Sequence, residues 1–203
     1  MKKMSGRERL MRAFRQQPTD RMPIWQWGLD PMFPSSRPSW KPLYEIAEKY
    51  ELDIMRSWHP RSRTQPENAP SPLPDRKQSE YEDMWEYRRI IETPKGDLTQ
   101  IYYAPKDGSP GYVKKDYITT PEDAEKWLSL PHKIVEPDIE TDSYFELLEK
   151  TGDRTMIMVG LGEAMYSIEA MMGSEAFAIF LVLERELLHE MIQRAYERIE
   201  NIV

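Results

Sequence analysis

Apolar positions along the chain fall into two rhythms, one of helical period and one of strand period. Ser5 with Glu8 three residues on makes a capping box, and Leu10, Met11, Ala13 and Phe14 then supply an apolar face. This predicts a helix ending near Gln17 and Pro18, with an Arg-rich exposed side. "MPIWQWG" is a brief β-branched and aromatic run closed by Gly28 and reads as strand one. "PLYEIAEKYELDIMRSW" predicts a helix from about Pro42 to Tyr50, then a strand from about Asp53 to Trp58.

The middle has a different texture. "MWEYRRIIETPKGDLTQIYYA" places two strand-like runs around Pro94-Lys95-Gly96-Asp97, a turn sequence, so a hairpin is expected, with "GYVKKDYI" as a third antiparallel strand. Thr120 as cap, Pro121 at the first helical position and acids in the first turn open one short helix. "TDSYFELLEKTG" repeats that logic with Ser143 and Glu146. "TMIMVGLG" reads as the third core strand and "EAMYSIEAMMG" as a helix closed by Gly173. Ser174 then caps a long amphipathic helix through Ile199, with Phe177, Phe180, Leu188, Met191 and Ala195 on its apolar face. Setting the hairpin aside, strands separated by helices imply parallel pairing with right-handed crossovers. Three such strands, apolar throughout, need cover on both faces, and the helices present supply only part of it.

Composition narrows the function. With 203 residues, 39% of them hydrophobic, one domain with a sizeable core is the expectation. The 28 Lys and Arg against 35 Asp and Glu leave a net charge of -7, which argues against nucleic acid or an anionic membrane as the main partner, while a local basic patch remains compatible. Cys is absent, so disulfides, thiolate zinc sites and Cys nucleophiles are excluded within the chain. No apolar run is read as reaching the eighteen or so residues of a membrane span, and the first residues lack a signal-peptide core, so a cytoplasmic protein is expected. The 17 Pro cluster in "DPMFPSSRPSWKP" and "HPRSRTQPENAPSPLPDRK", which read as long irregular connections.

The order of "RERLMRAFRQQPTDRMPIWQWG", "ETPKGDLTQ", "ITTPEDAEKWLSLP" and "VGLGEAMYSIEAMMGSEAFAIFLVLERELLHEMIQRAYERI" resembles the uroporphyrinogen decarboxylase superfamily, which also contains methyltransferases acting on corrinoid-bound methyl groups. The resemblance spans essentially residues 1–203 and corresponds to the N-terminal half of a family member. It implies a partial (β/α)8 TIM barrel, with the first three strand-helix units and an inserted hairpin, completed by later strands. Three departures stand out. The decarboxylases carry an Arg-rich segment after strand one where this chain reads "QWGLD", and an Asp at the end of strand two where it reads "RSWHP". A Tyr of the helix after strand three corresponds to Ala170, with Tyr166 one turn earlier. The zinc ligands of the methyltransferase branch, a His and two Cys, lie in the second half of that fold, so zinc or a corrinoid would depend on the C-terminal half.

In a barrel of this kind, catalytic groups sit at the C-terminal ends of strands and in the loops that follow. The resemblance therefore points to Gln26, Trp27 and Asp30 after strand one, Arg56, Trp58 and His59 after strand two, and Glu163 and Tyr166 after strand three. Glu163 and His59 are the candidate catalytic pair and the other six the candidate substrate contacts. Each has a simpler alternative: ring packing for the tryptophans, a capped turn for Asp30 with Arg56 as its partner, a solvated loop for His59, a plain first-turn acid for Glu163. Glu186 and His189 at i, i+3 echo di-iron helices, and "HEMIQ" opens like a zinc-protease helix, but each motif lacks its second half and reads as a solvated helix face.

Three functions compete: an enzyme segment acting on a small-molecule, tetrapyrrole or corrinoid substrate, either a decarboxylase (lyase) or a methyltransferase; a non-catalytic remnant of the same fold whose open edge serves self-association; and an unrelated α/β binding module. Self-association or a second chain completing the barrel is the expected partnership.

Overall fold

The computed structural model describes residues 3–35, 38–62, 75–132, 134 and 138–202. Its elements are α1 (Gly6–Phe14), a 3-10 turn (Pro38–Trp40), α2 (Lys41–Lys49), β1 (Ile54–Trp58), β2 (Arg61–Ser62), β3 (Asp75–Gln78), β4 (Met84–Ile91), β5 (Leu98–Pro105), β6 (Tyr112–Lys115), α3 (Pro121–Leu128), β7 (Ile139–Glu140), α4 (Asp142–Thr151), β8 (Thr155–Val159), α5 (Ala164–Leu183) and α6 (Arg185–Glu200). The chain divides into two compact units, residues 1–61 with 139–160, and residues 62–138 with 161–203.

In the first unit the Ser5 side chain accepts the Glu8 N–H at 3.1 Å, the expected cap of α1. That helix stops at Phe14, short of the predicted Gln17, because the chain turns through a positive φ of 55° at Gln16. β1 and β8 pair in parallel from Ile54 opposite Thr155 to Trp58 opposite Val159, as the alternation of strands and helices predicts. The run 22–28, read as strand one, forms no strand. The reason is Asp53. Its backbone N–H donates to the Ile24 carbonyl at 2.8 Å, but its carboxylate accepts the Ile24 N–H at 3.0 Å, so a side chain takes the place of the next ladder partner. The chain then turns through Gly28 at φ 71°. β1 and β8 therefore pair only with each other among the described residues, and both outer edges of this two-stranded sheet lack a strand. The described residues contain no closed barrel, and of the three core strands expected they supply two.

The cap of α4 also differs from expectation. The helix begins at Asp142, and the Glu140 carboxylate, from β7, accepts both the Ser143 N–H at 3.0 Å and the Ser143 hydroxyl at 2.7 Å.

The second unit holds a four-stranded antiparallel sheet in the order β3-β4-β5-β6, separate from the parallel pair as predicted. The turn at Thr93 to Gly96 closes the expected hairpin, with Gly96 at φ 111°. β3 is an addition that the Pro-rich spelling of its surroundings concealed; most of that connection, residues 63–74, lies outside the described residues. Thr120 caps α3 as expected, its side chain accepting the Asp123 N–H at 3.3 Å.

The long last helix expected from Ser174 to Ile199 is two helices, broken at Glu184 (φ -128, ψ 43), and α6 packs on α5. The break lets the apolar faces on either side of it share one core, where Ile168, Met172, Phe180, Leu188 and Met191 meet Trp127. α5 also corrects the hydropathy reading. Residues 164–183 run as one 20-residue element with a mean hydropathy of 1.4, long and apolar enough by composition to cross a membrane, and among the described residues it alone is so. Gly173 interrupts it with φ 70 and ψ 159, and Ile168, Met172, Ala176 and Phe180 pack into the core, although only 17% of the apolar window is buried and Met165, Val182 and Leu183 stand exposed.

Candidate functional site

The C-terminal ends of β1 and β8 gather most of the candidate side chains of the first unit. Asp30 is buried and accepts twice, from the Met32 N–H at 3.0 Å and from Arg56 Nη1 at 2.9 Å. The Arg56 guanidinium lies 3.7 Å from the centroid of the Phe33 ring, and Lys150 Nζ lies 4.2 Å from the same centroid. Arg56 and Trp58 share a face of β1 by strand period, and that face meets α4. Trp58 Nε1 donates to Ser143 Oγ at 3.1 Å, and its ring stands edge-on to Tyr144 at 5.3 Å. Asp30, Arg56 and Trp58 are thus committed to holding loop, strand and helix together, close to their simpler sequence readings.

His59 is different. It is exposed, and its Nδ1 sits 3.1 Å from the Gly160 carbonyl oxygen. A carbonyl only accepts, so Nδ1 carries a proton here, and in the neutral tautomer this fixes, Nε2 is the acceptor nitrogen. Gly160 makes this possible, because a Cβ there would fall 2.4 Å from His59 Cε1. The Gly160 N–H in turn donates to the Trp58 carbonyl at 2.8 Å, so the end of one strand fixes the imidazole of the other.

Gln26 and Trp27 lie on the turn after residue 24, both exposed, Trp27 by 72%, with Trp25 edge-on to Trp27 at 5.9 Å. Glu163 and Tyr166 belong to the second unit. Glu163 is the N-cap residue of α5, its side chain makes no capping bond, and its carbonyl accepts the Ser167 N–H at 2.9 Å and hydroxyl at 2.7 Å. Tyr166 is exposed.

The perturbed charges of the first unit sit at the other end of β1. Arg9, only 3% exposed, donates from Nε to Asp20 at 2.6 Å, from Nη2 to the Met4 carbonyl at 2.8 Å, and from Nη1 to Asp53. Arg21 reaches the other oxygen of Asp53 at 3.2 Å. The Arg9 guanidinium, and then the Met4 N–H, hold the Asp20 carboxyl well below the usual carboxylate range, and the hydrogen bond to Asp20 raises Arg9 above its ordinary value. No motif flagged this cluster. Its signal was an Asp immediately before an apolar strand, paired with an Arg inside an amphipathic helix.

In the second unit Glu186 and His189 are exposed, as the solvated-face reading expects. His132 Nε2 lies 2.6 Å from Glu197, whose pKa the contact lowers. Among the described residues no three His, Asp or Glu side chains converge as a metal site. Comparison with protein-family profiles, with curated proteins and with solved structures found no match to this chain.

Proposed function

We propose that the chain is a cytoplasmic segment of a uroporphyrinogen decarboxylase-like barrel, contributing one wall of a pocket for a small-molecule, tetrapyrrole or corrinoid ligand. Further strands, from the same polypeptide or a second chain, would complete both the sheet and the chemistry. The observation that carries this reading is the parallel β1–β8 pair: its outer edges lack a strand among the described residues, and its C-terminal ends place His59, Trp58 and Arg56 together. Parallel sheets occur almost only as wider, covered sheets, and their ligands gather at this end.

In this reading His59 Nε2 exchanges a proton with the ligand, the exposed Trp27 ring offers it a flat apolar contact, and the Asp30–Arg56 pair fixes the loop between them. Decarboxylase or methyltransferase chemistry falls to the residues that complete the barrel, and any zinc or corrinoid to those same residues.

The same open edges support the second reading, a non-catalytic relative that self-associates. One set of measurements separates them. The purified chain is mixed with uroporphyrinogen, with uroporphyrin and with a cobalamin, alone and together with a polypeptide supplying the later strands of a family barrel. The expected outcome is a spectral shift on binding that His59→Ala weakens, and no coproporphyrinogen above a heat-killed control from the chain alone. Turnover by the chain alone would contradict the incomplete-site reading. The absence of any shift, with or without the added polypeptide, would leave the self-associating relative.

A further inference from the structure

The two faces of the four-stranded sheet treat their cations differently. Residues opposite one another across antiparallel strands share a face, which puts Arg76, Tyr87 and Tyr102 together, and likewise Gln78, Trp85 and Ala104. Arg89 opposite Gln100 extends this face at one end. Lys106, two residues beyond Ala104, extends it at the other, its Nζ lying 4.6 Å from the Trp85 centroid. On the reverse face most cations meet a carboxylate: Lys77 lies 3.1 Å and Arg88 3.8 Å from Glu86, and Lys114 3.9 Å from Glu80, while Lys115, opposite Ile101 at the sheet edge, has no carboxylate partner among the described residues.

On the first face Arg76, Arg89 and Lys106 have no carboxylate partner among the described residues. Neutral groups position them instead. Arg76 lies 4.7 Å from the centroid of Trp85. Lys106 donates to Gln78 Oε1 at 2.7 Å, and the Gln78 amide is itself fixed by donating to the Tyr81 carbonyl at 2.6 Å and the Met84 carbonyl at 3.1 Å. Arg89 donates to Oε1 of the buried Gln100 at 3.4 Å and stands 5.9 Å from the Tyr102 centroid. Aromatic rings and amide oxygens orient a cation without neutralising it, so three full positive charges stand on one face of a chain whose net charge is -7. A face built this way complements negative charge that a ligand brings.

We propose that this face, around Trp85, binds a multivalent oxyanion, a ligand presenting two or more phosphate or carboxylate groups to Arg76, Lys106 and Arg89. The site belongs to the second unit and does not depend on the barrel reading. Isothermal titration of the full chain with tripolyphosphate and, separately, with benzenehexacarboxylate, at low salt and near physiological ionic strength, tests it. Two double variants carry the argument, Arg76→Gln with Lys106→Gln on this face and Lys77→Gln with Lys114→Gln on the reverse face. All four side chains are exposed and each pair removes the same charge. The expected result is saturable binding of at least one anion, weakened about tenfold or more by the first pair and little by the second. Binding of the phosphate alone would mark a phosphate ester as the ligand, and binding of the carboxylate alone a polycarboxylate. No saturable binding of either anion, equal weakening by both pairs, or no weakening by the first pair would overturn the proposal.

Discussion

The two units bury opposite chemistry. The first closes around an ion cluster: the Asp53 side chain, with no exposed surface, takes Arg9 and Arg21, and Arg9 also takes Asp20. The second closes around Phe180, Leu188 and Met191, in a core cluster with no charged member. Ion clusters are directional. Asp53 dictates where α1 and the segment at Ile24 meet β1, whereas an apolar core sets volume and leaves more freedom in who touches whom. What one unit gains in specified geometry it risks in sensitivity, because removing one partner strands a buried charge.

Breaking that cluster is the largest effect expected. Arg9→Ala leaves the buried Asp53 with only the partly exposed Arg21 as its cation, and Asp20 with none among the described residues, and should cost about 3–5 kcal/mol. Hydrogen exchange should show protection lost across residues 1–61 and 139–160 and kept in 161–203; uniform loss would mean that the units do not differ in this way. Acid should do the same more gently. Asp20 is depressed in the folded state, so its contribution is complete above the unfolded carboxylate value of about 3.9 and is lost as pH falls toward the depressed one. In the second unit Asp116 is raised, by burial and then by nearby Glu169, so its contribution has the opposite sign: present below the unfolded value and lost as pH rises through the raised one. The second unit also holds depressed carboxylates, Glu197 and Asp123, but Asp20 is the most depressed, so acid below pH about 4 should open the first unit before the second.

The matching probe of the second unit is Met191→Ala. Met191 is fully buried, and truncation should cost about 2–5 kcal/mol through lost transfer energy and a cavity. No charge is involved, so the loss measured by urea titration should be the same at low and high salt. A strongly salt-dependent loss would show that electrostatics reach this core as well.

The comparison also explains what the sequence revealed. Local signals held where the partner is local: the Ser5 cap, the Thr120 cap, the Thr93 to Gly96 turn, the break at Gly173 and the separate antiparallel sheet. They failed where a distant side chain decides. Asp53 turns the apolar run 22–28 away from strand pairing, Glu140 replaces Ser143 as the cap of α4, and core packing breaks the last helix at Glu184. For the candidate site, the barrel resemblance pointed to Asp30 after the expected first strand and to Arg56, Trp58 and His59 after the second, and the structure gathers these four at one end of the strand pair. Gln26 and Trp27 stand apart on an exposed turn, and Phe33, Lys150 and Gly160, which shape the surroundings of the others, carried no motif.

The smallest effect separates two glycines, one from each unit. At Gly173 an added Cβ would fall 2.4 Å from an Asp116 oxygen, and φ is 70°, so Gly173→Ala meets both a clash and backbone strain of about 1–3 kcal/mol. At Gly160 the Cβ would fall as close to His59, but that ring is exposed and can swing away. The expected loss for Gly160→Ala is therefore one hydrogen bond, about 1 kcal/mol. Its more telling consequence is chemical. Without the Gly160 carbonyl to accept from Nδ1, the neutral imidazole is free to place its proton on either nitrogen, and nitrogen-15 NMR should show a single tautomer in the parent chain and a mixture in the variant. A single Nδ1-protonated tautomer in both chains would mean that some other contact orients His59, and the strand-end arrangement that presents Nε2 would lose its basis.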